Sequence, residues 1–326
     1  MLLEILLYFF VFSFKHPTNR KNNLNKPTIG LVIPTKNAQA TLDKLLNTLK
    51  NSPIAFTTLI IDSSSDDETV SIAKSHHANV IIIPPADFNH GTTREYARQQ
   101  LATDIVVYLT QDAIPVNENL LANLVKPLIV SDEITVSYGR QIAHKGADIF
   151  EAFPREYNYP KQAQVRSIKD VNQYGVYTFF CSNSCAAYKN SALDEIGGFK
   201  SVISNEDYFA VADLLQQGYK IAYAADAIVS HSHRYSLWQE FQRYFDTGYV
   251  RAENPIIQQL VGQAESRGVG FVASLIKKVW HDHPLLIPYA VIQSLMKWLG
   301  YRIGFYGSIL PLWMRKRLSQ QAYYWG

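Results

Sequence analysis

From Thr28 onward the chain alternates short, wholly apolar runs with segments whose apolar residues recur every three or four positions. The runs are TIGLVI (28–33), TTLIID (57–62), VIIIP (80–84) and DIVVYL (104–109). They lack the in–out alternation of a half-exposed strand, so they predict strands buried on both faces. Between them, Leu42, Leu45, Leu46 and Leu49 mark one helix face. Residues 66–75 read as a helix opened by serines and acids, and a third helix is predicted from about Thr92 to Leu101. Buried strands separated by amphipathic helices specify an α/β fold with a mostly parallel central sheet flanked by helices. Ligands of such sheets collect at the carboxyl ends of the strands. Pro34, Thr35, Asp62 and Asp112 fall at such ends, and one site is expected to gather them.

Beyond residue 250 the pattern changes. Ile292, Leu295, Met296, Leu299, Ile303 and Tyr306 recur at helical spacing, with Lys297, Trp298 and Arg302 among them, and WMRKRL (313–318) follows. The stripe predicts a helix that faces the core in part. Its aromatic and basic mixture equally suits a helix lying on anionic lipid, and its charges make it peripheral rather than spanning. At the other end, MLLEILLYFFVFSF is apolar for fourteen residues around Glu4. It is short for a span and precedes no small-residue cleavage site, so it reads as a weak anchor or an extension. Residues 1–26 are thus an apolar segment with a polar linker, 27–251 the α/β domain, and 252–326 a helical C-terminal extension.

Composition sharpens this picture in three respects. With 47% hydrophobic and 18% charged residues, the 326-residue chain can build a large core. A net charge of +3 does not argue for nucleic acid. Residues 251–326 hold nine Lys/Arg and three Asp/Glu, so the positive excess is confined to the extension and points to an anionic membrane surface. Cys181 and Cys185 are spaced for one helix face, but a lone pair makes neither a zinc site nor a disulfide framework, and reduced, partly buried thiols are expected. No G-x-G-x-x-G follows the first strand and no Walker sequence occurs, which excludes a dinucleotide dehydrogenase or a P-loop enzyme.

The remaining motifs are VIPTKN (32–37), IIDSSSDDET (60–69), FNHGTTRE (88–95), YLTQDA (108–113), IGGF (196–199) and NEDYFAVADLLQQGYKIAY (205–223). In this order they resemble family 2 glycosyltransferases of GT-A fold, over roughly residues 27–251. FNHG, TQDA and HSHRYSLWQEFQRYFDTG (231–248) together resemble the rhamnosyltransferase subgroup.

That resemblance implies a nucleotide-diphospho-sugar transferase with an inverting mechanism and Mg2+ or Mn2+ as cofactor. Asp112 closes the family's D-x-D motif and would hold the metal, although Thr110 replaces the first Asp. His231 matches a metal-ligating histidine of relatives and His233 is the second choice; two histidines on a half-buried strand with no ligand role is the plainer reading. Asp62 would accept N3–H from uracil or thymine, or simply belong to the capping acids of DSSSDD. Pro34, Thr35 and Asn37 would line base and ribose, with Gln111 beside them, and Arg94 would face the nucleotide or its phosphates, while Arg98 reads as a surface salt-bridge residue. Asp207 would be the general base and Glu206 its orienter, against the alternative that NED is a helix start capped by Asn205. Arg243 would reach the diphosphate or the acceptor; the Q-x-x-R-W signature of processive relatives is not met there.

The donor implied is dTDP-L-rhamnose, with a UDP-linked sugar as the alternative. The acceptor implied is a hydroxyl of a lipid-linked or growing surface polysaccharide, reached from the cytoplasmic face of the plasma membrane. The rival from another class is a non-catalytic, membrane-associated subunit that binds glycan. Retention of Asp112 and Asp207 weighs against it.

Overall fold

A computed structural model describes residues 26–261 and 265–326. The apolar segment 1–14 lies outside them. The strands are β1 (Ile29–Thr35), β2 (Thr57–Asp62), β3 (Asn79–Ile82), β4 (Ile105–Leu109), β5 (Ile114–Pro115), β6 (Ile134–Ile142), β7 (Gln164–Arg166), β8 (Cys185–Lys189) and β9 (Lys220–Ser230). Helices α1 (Gln39–Leu49), α2 (Thr69–Ser75), α3 (His90–Leu101), α4 (Leu120–Val130), α5 (Ile149–Asn158), α6 (Val171–Tyr174), α7 (Asn190–Glu195) and α8 (Glu206–Gln216) surround them. Helix α9 (Leu237–Glu253) runs from the α/β domain into the extension, which supplies α10 (Ile256–Val261), α11 (Glu265–Asp282), α12 (Ile287–Phe305) and α13 (Leu312–Leu318).

One sheet runs β3-β2-β1-β4-β8-β6-β9-β5, with β7 on β9. Its first four strands are parallel, as the apolar runs predict. From β8 onward the sheet is mixed: β8 is antiparallel to both β4 and β6, and β9 is parallel to β6 but antiparallel to β5 and β7. Alternate residues of each central strand enter opposite cores, as period-2 geometry requires. Val32, Val106 and Tyr108 join α3 and α8 in one core, while Leu31, Ile33, Val107 and Leu109 meet α1 and α4 in the other.

Local capping moves two expected boundaries. Asp67 Oδ1 accepts from the Thr69 amide at 3.0 Å, so α2 starts at Thr69 and Asp66 stays in the turn, its amide donating to Asn37 Oδ1. Asn89 Oδ1 accepts from the Gly91 and Thr92 amides, which starts α3 at His90. Cys181 and Cys185 share no helix: Cys185 opens β8, and both thiols are free and fully buried.

Two features position the site. First, β9 shifts register against β6, from Gly139 opposite Ala224 to Arg140 opposite Ile228. Such an irregularity bends a strand and re-aims its end. Beyond the bend, Ile114 and Pro115 pair antiparallel with Ser230 and Val229. Extended past β5, that register brings Asp112 level with Ser232, between His231 and His233. Second, α12 lies against α9 through small residues. A Cβ on Gly300 or Gly304 would stand 2.2 and 2.0 Å from the Phe241 and Phe245 carbonyl oxygens, and one on Gly248 would stand 2.2 Å from the Tyr301 carbonyl. The buried face of α12 is therefore Ala290, Gln293, Gly300 and Gly304. Most of the apolar stripe is turned out, and only part of it faces inward: Ile292, Leu295, Ile303 and Tyr306 are exposed, as are Trp298, Ile309, Leu312 and Trp313, while Met296 and Leu299 are half-buried.

Gly304→Leu is expected to force the two helices apart and lower stability by about 1–3 kcal/mol, the range for overpacking a close contact. A calorimetric midpoint equal to that of the unaltered protein would show that the contact is not tight.

Candidate active site

At the ends of β1 and β2, Thr35 and Asp62 are register partners. Asp62 is completely buried and its carboxylate accepts from Thr35 Oγ1 (2.8 Å), Ser65 Oγ (2.6 Å) and the Ser65 amide (2.7 Å). It organises the turn, and no edge of it is presented for a nucleobase. Asn37, exposed and left-handed at φ 51°, donates its amide to Ser65 Oγ. Gln111 accepts from the Lys36 amide at 2.8 Å and donates to the Lys36 carbonyl at 3.1 Å, so both ends of its amide clamp the loop after β1 to the loop after β4. Pro34 is half-buried at the same rim.

At the end of β4 the register described above assembles Asp112, His231 and His233. Their facing atoms form a tight triangle: His231 Nε2 to His233 Nε2 is 3.0 Å, Asp112 Oδ2 to His233 Nε2 3.3 Å, and Asp112 Oδ1 to His231 Nε2 3.5 Å. His231 Nδ1 lies 2.9 Å from Gln141 Oε1, and the Gln141 amide nitrogen donates to Ser182 Oγ. With the amide assigned from that network, His231 carries its proton on Nδ1 and turns a lone pair on Nε2 toward the Asp112 carboxylate. Burial lowers both imidazole pKa values. The charge of His231 adds to this at His233, which falls to about 4, with Asp112 opposing at both rings. Burial acts upward on the Asp112 carboxyl, but its pairing with His231 and His233 outweighs it and holds the group well below the usual carboxylate range. Neutral imidazoles and an ionised carboxylate turned on one point form a cation-ready set. An octahedron with bonds near 2.1 Å has edges of about 3 Å, which these separations match. The residues therefore fit a divalent cation.

Basic groups flank this triangle. Arg155 of α5 donates to the His231 carbonyl at 2.7 Å, and Arg243 of α9 lies 4.1 Å over the Tyr235 ring, which in turn is 5.4 Å from His233. Gln141 and Arg155 escape sequence reasoning because only the fold brings β6 and α5 to this point; neither sits in a motif.

A second acidic centre opens α8. Asn205 occupies the cap position at φ 63° but its side chain caps nothing. Glu206, 5% exposed, pairs with Arg94 at 3.0 Å and accepts from Asn183 Nδ2 at 2.9 Å. Arg94 is thus directed at Glu206 and is buried with it. Asp207 is half-buried and accepts from the Asn183 amide at 2.9 Å. Burial acts upward on both carboxyls. At Glu206, Arg94 and His90 outweigh it and keep the group ionised; at Asp207, the neighbouring Glu206 charge adds to it, and the pKa is pushed up to about 7. Two adjacent carboxyls with separated titrations are the arrangement of an acid–base pair. Arg98, expected on the surface, is 5% exposed and bridges Glu95 (2.6 Å) to Asp194 (2.7 Å), because α3 packs that face inward.

Comparison with known proteins follows this geometry. The model of glycosyl transferase family 2 matches residues 31–197. The O-antigen chain rhamnosyltransferase WbaN of Salmonella anatum is 40% identical over 305 residues, which is 92% of this chain and 96% of that protein. Among solved structures, the mannosyltransferase PcManGT from Pyrobaculum calidifontis, in complex with GDP-Man and Mn2+, is similar with a TM-score of 0.60 at 13% identity, covering 88% of this chain and 89% of that one. S. aureus TarS 1–349 in complex with UDP is similar with a TM-score of 0.52 at 15% identity, covering 86% and 91%. At such identities these two bear on the fold alone, which is GT-A-like.

Gln141→Leu removes the acceptor that fixes the His231 tautomer. Mn2+ affinity, read from the electron-spin resonance signal of the free ion during titration, should fall roughly 10–100-fold, as loss of a ligand's supporting hydrogen bond commonly produces. Equal affinities in the two proteins would show that Gln141 does not set the ring.

Proposed function

The chain belongs to glycosyl transferase family 2, and from that premise we propose that it moves L-rhamnose from dTDP-L-rhamnose, with inversion, onto a hydroxyl of a lipid-linked or growing surface polysaccharide. That it is a glycosyltransferase of polysaccharide assembly follows from the family and from relatives named O-antigen chain rhamnosyltransferase. The rhamnosyl donor and the acceptor class are the reading those names favour.

The observation that carries the mechanism is the separation of two acidic centres with opposite settings. Asp112, His231 and His233 would hold Mg2+ or Mn2+, which supplies charge compensation for the departing diphosphate. Arg155 and Arg243 add fixed positive charge on the same side. Asp207 takes the proton of the acceptor hydroxyl as its oxygen attacks the anomeric carbon. Glu206 stays ionised against Arg94, and its charge raises the proton affinity of Asp207. The base is therefore matched to neutral pH. Thr35, Pro34 and Asn37 supply the rim on which the nucleoside rests. Base selection through Asp62 would require the Ser65 turn to open, so we assign Asp62 to holding that rim in shape.

We further assign the exposed stripe of α12 and α13 to the membrane surface, on the cytoplasmic side. Among the described residues no helix is long and apolar enough to cross a bilayer. Instead, α12 exposes Trp298, and α13 carries exposed Leu312 and Trp313 on the same short helix as Lys316 and Arg317, a composition suited to the lipid interface.

Asp207→Asn should lower transfer of labelled rhamnose by about 10²–10⁴-fold while donor binding stays unchanged. In the unaltered protein Asp207 is a competent base only when deprotonated. Rate should therefore rise with pH along a limb centred near its pKa of about 7 and level off above it. Normal turnover in the variant, or a UDP-sugar preferred over dTDP-L-rhamnose in the same assay, would overturn the base or the donor respectively.

For the membrane assignment, liposomes containing phosphatidylglycerol should carry the protein upward in flotation. Basic residues near such a surface contribute about 1 kcal/mol each, screened by salt. Lys316→Glu with Arg317→Glu should thus reduce flotation most at low salt, and Trp298→Ser with Trp313→Ser should reduce it at any salt. Arg315 is left in place because it donates to the Leu310 and Ser308 carbonyls. Protein that stays at the bottom of the gradient under all conditions would refute the assignment.

A further inference from the structure

The last residues of the chain return to the acidic centre. Gln242 of α9 donates to the Arg317 and Ser319 carbonyls at 3.1 Å each, and the Gln320 amide donates to Asp246 Oδ2 at 3.0 Å. Asp246 is 3% exposed, so a buried carboxylate on α9 is committed to holding this strap. The strap closes in a short turn, Ala322–Trp325. There Trp325 meets Tyr249 edge-on at 4.7 Å and joins the core on the α8 side of the sheet.

With Trp325 anchored, Tyr323 stands 6.1 Å from Phe88, ring centre to ring centre, and Phe88 stands 5.1 Å from His90. His90 adjoins Arg94, whose guanidinium pairs with Glu206. Burial first, then the Asp246 and Glu206 carboxylates, push the Tyr323 phenol up to about 12, with Arg94 opposing. The ring thus lies on the side of the acidic centre held by Arg94 and Glu206, yet Tyr323 remains 43% exposed. In the same turn Trp325 is half-buried against that core, whereas Tyr323 and Tyr324 stay open. An open tyrosine held at the edge of the acidic centre offers a rigid, amphipathic face at low entropic cost, suited to the C–H face of a sugar ring.

We propose that Tyr323, together with Phe88, forms a stacking wall for the acceptor's sugar ring on the His90–Arg94 side of the acidic centre, positioned by the strap of residues 319–325. The wall rests on the reading of this centre as the acceptor side of a glycosyltransferase.

The test uses the full chain, with transfer from dTDP-L-rhamnose to a panel of octyl glycosides and hydrolysis of the donor by water measured alongside. Tyr323→Ala should raise the acceptor KM roughly tenfold, the scale of one aromatic contact. Donor KM, donor hydrolysis and thermal midpoint should stay unchanged, and Tyr323→Trp should restore the acceptor KM. Saturation-transfer NMR with the same glycosides reads sugar-ring contact without turnover, and that contact should be lost in Tyr323→Ala. A lower acceptor KM in Tyr323→Ala would mark a plug and overturn the proposal, as would a change confined to the donor. If no donor is turned over but the NMR contact depends on Tyr323, the assigned reaction fails while the wall stands. Absence of sugar contact in the unaltered protein overturns the wall itself.

Discussion

The buried pair of Arg94 and Glu206 is the constraint on which the acidic centre depends. Removing two charges from water is unfavourable, and further hydrogen bonds must offset that cost; all but Arg94 Nε among the pair's buried polar atoms find one. Here Asn183 donates to Glu206, and Tyr188 donates to Asn183 in turn at 2.8 Å. Arg94 donates to the His90 carbonyl, while its own carbonyl accepts from the buried Tyr108 hydroxyl. Strands β4 and β8 thereby lock the pair from below, and α3 and α8 bring it together from the side. Without Arg94, Glu206 would protonate, and the charge that lifts Asp207 would vanish. The poise of the proposed base is therefore a property of four elements rather than of one side chain.

The other centre follows from a pairing of two residues. Ile114 and Pro115 are too few to be a strand by pattern, yet their pairing with Val229 and Ser230 fixes where Asp112 meets the histidines. The bend in β9 makes that meeting reachable, since a straight continuation of the upstream register would carry His231 to a different level of β6. Gln111 then ties the same loop to Lys36, so the proposed metal side and the rim at β1 move as one body. A loop that must hold a cation and a diphosphate together gains from this, because misplacement by about 1 Å is enough to slow a reaction severely.

The sequence made the parallel half of the fold legible because strands buried on both faces leave uninterrupted apolar runs. The antiparallel half was not, because β6, β8 and β9 mix Ser, Gly, Lys and Tyr with apolar residues and lie far apart in the chain. Asp112 was legible by its place after β4 and by motif, and so were His231 and His233. The burial of Asp62 was not, since a carboxylate satisfied by Ser65 and Thr35 looks the same in sequence as one facing a ligand. The burial of Arg98 was missed for a related reason: its salt-bridge partner Asp194 lies 96 residues along the chain, and only the fold brings α7 to α3 over the guanidinium.

The orientation of the apolar stripe of α12 was only partly legible from periodicity itself. A stripe at helical spacing reports that one face differs from the other, but not which face is inside. Bulk ordinarily decides, because large side chains have more surface to remove from water. Here close approach of backbones decides instead: Gly300 and Gly304 bring the α9 backbone against α12, and the large apolar residues of the stripe are mostly displaced from that stretch of the face. The consequence joins the two ends of the extension. One side of α9 receives α12 and turns an aromatic–basic surface outward, while Gln242 and Asp246 hold the strap that carries Tyr323 to the acidic centre. On the proposed reading, the helix that sets the lipid-facing surface and the helix that sets the acceptor wall are packed as one unit. A membrane-borne acceptor would then meet Asp207 at a fixed height above the lipid.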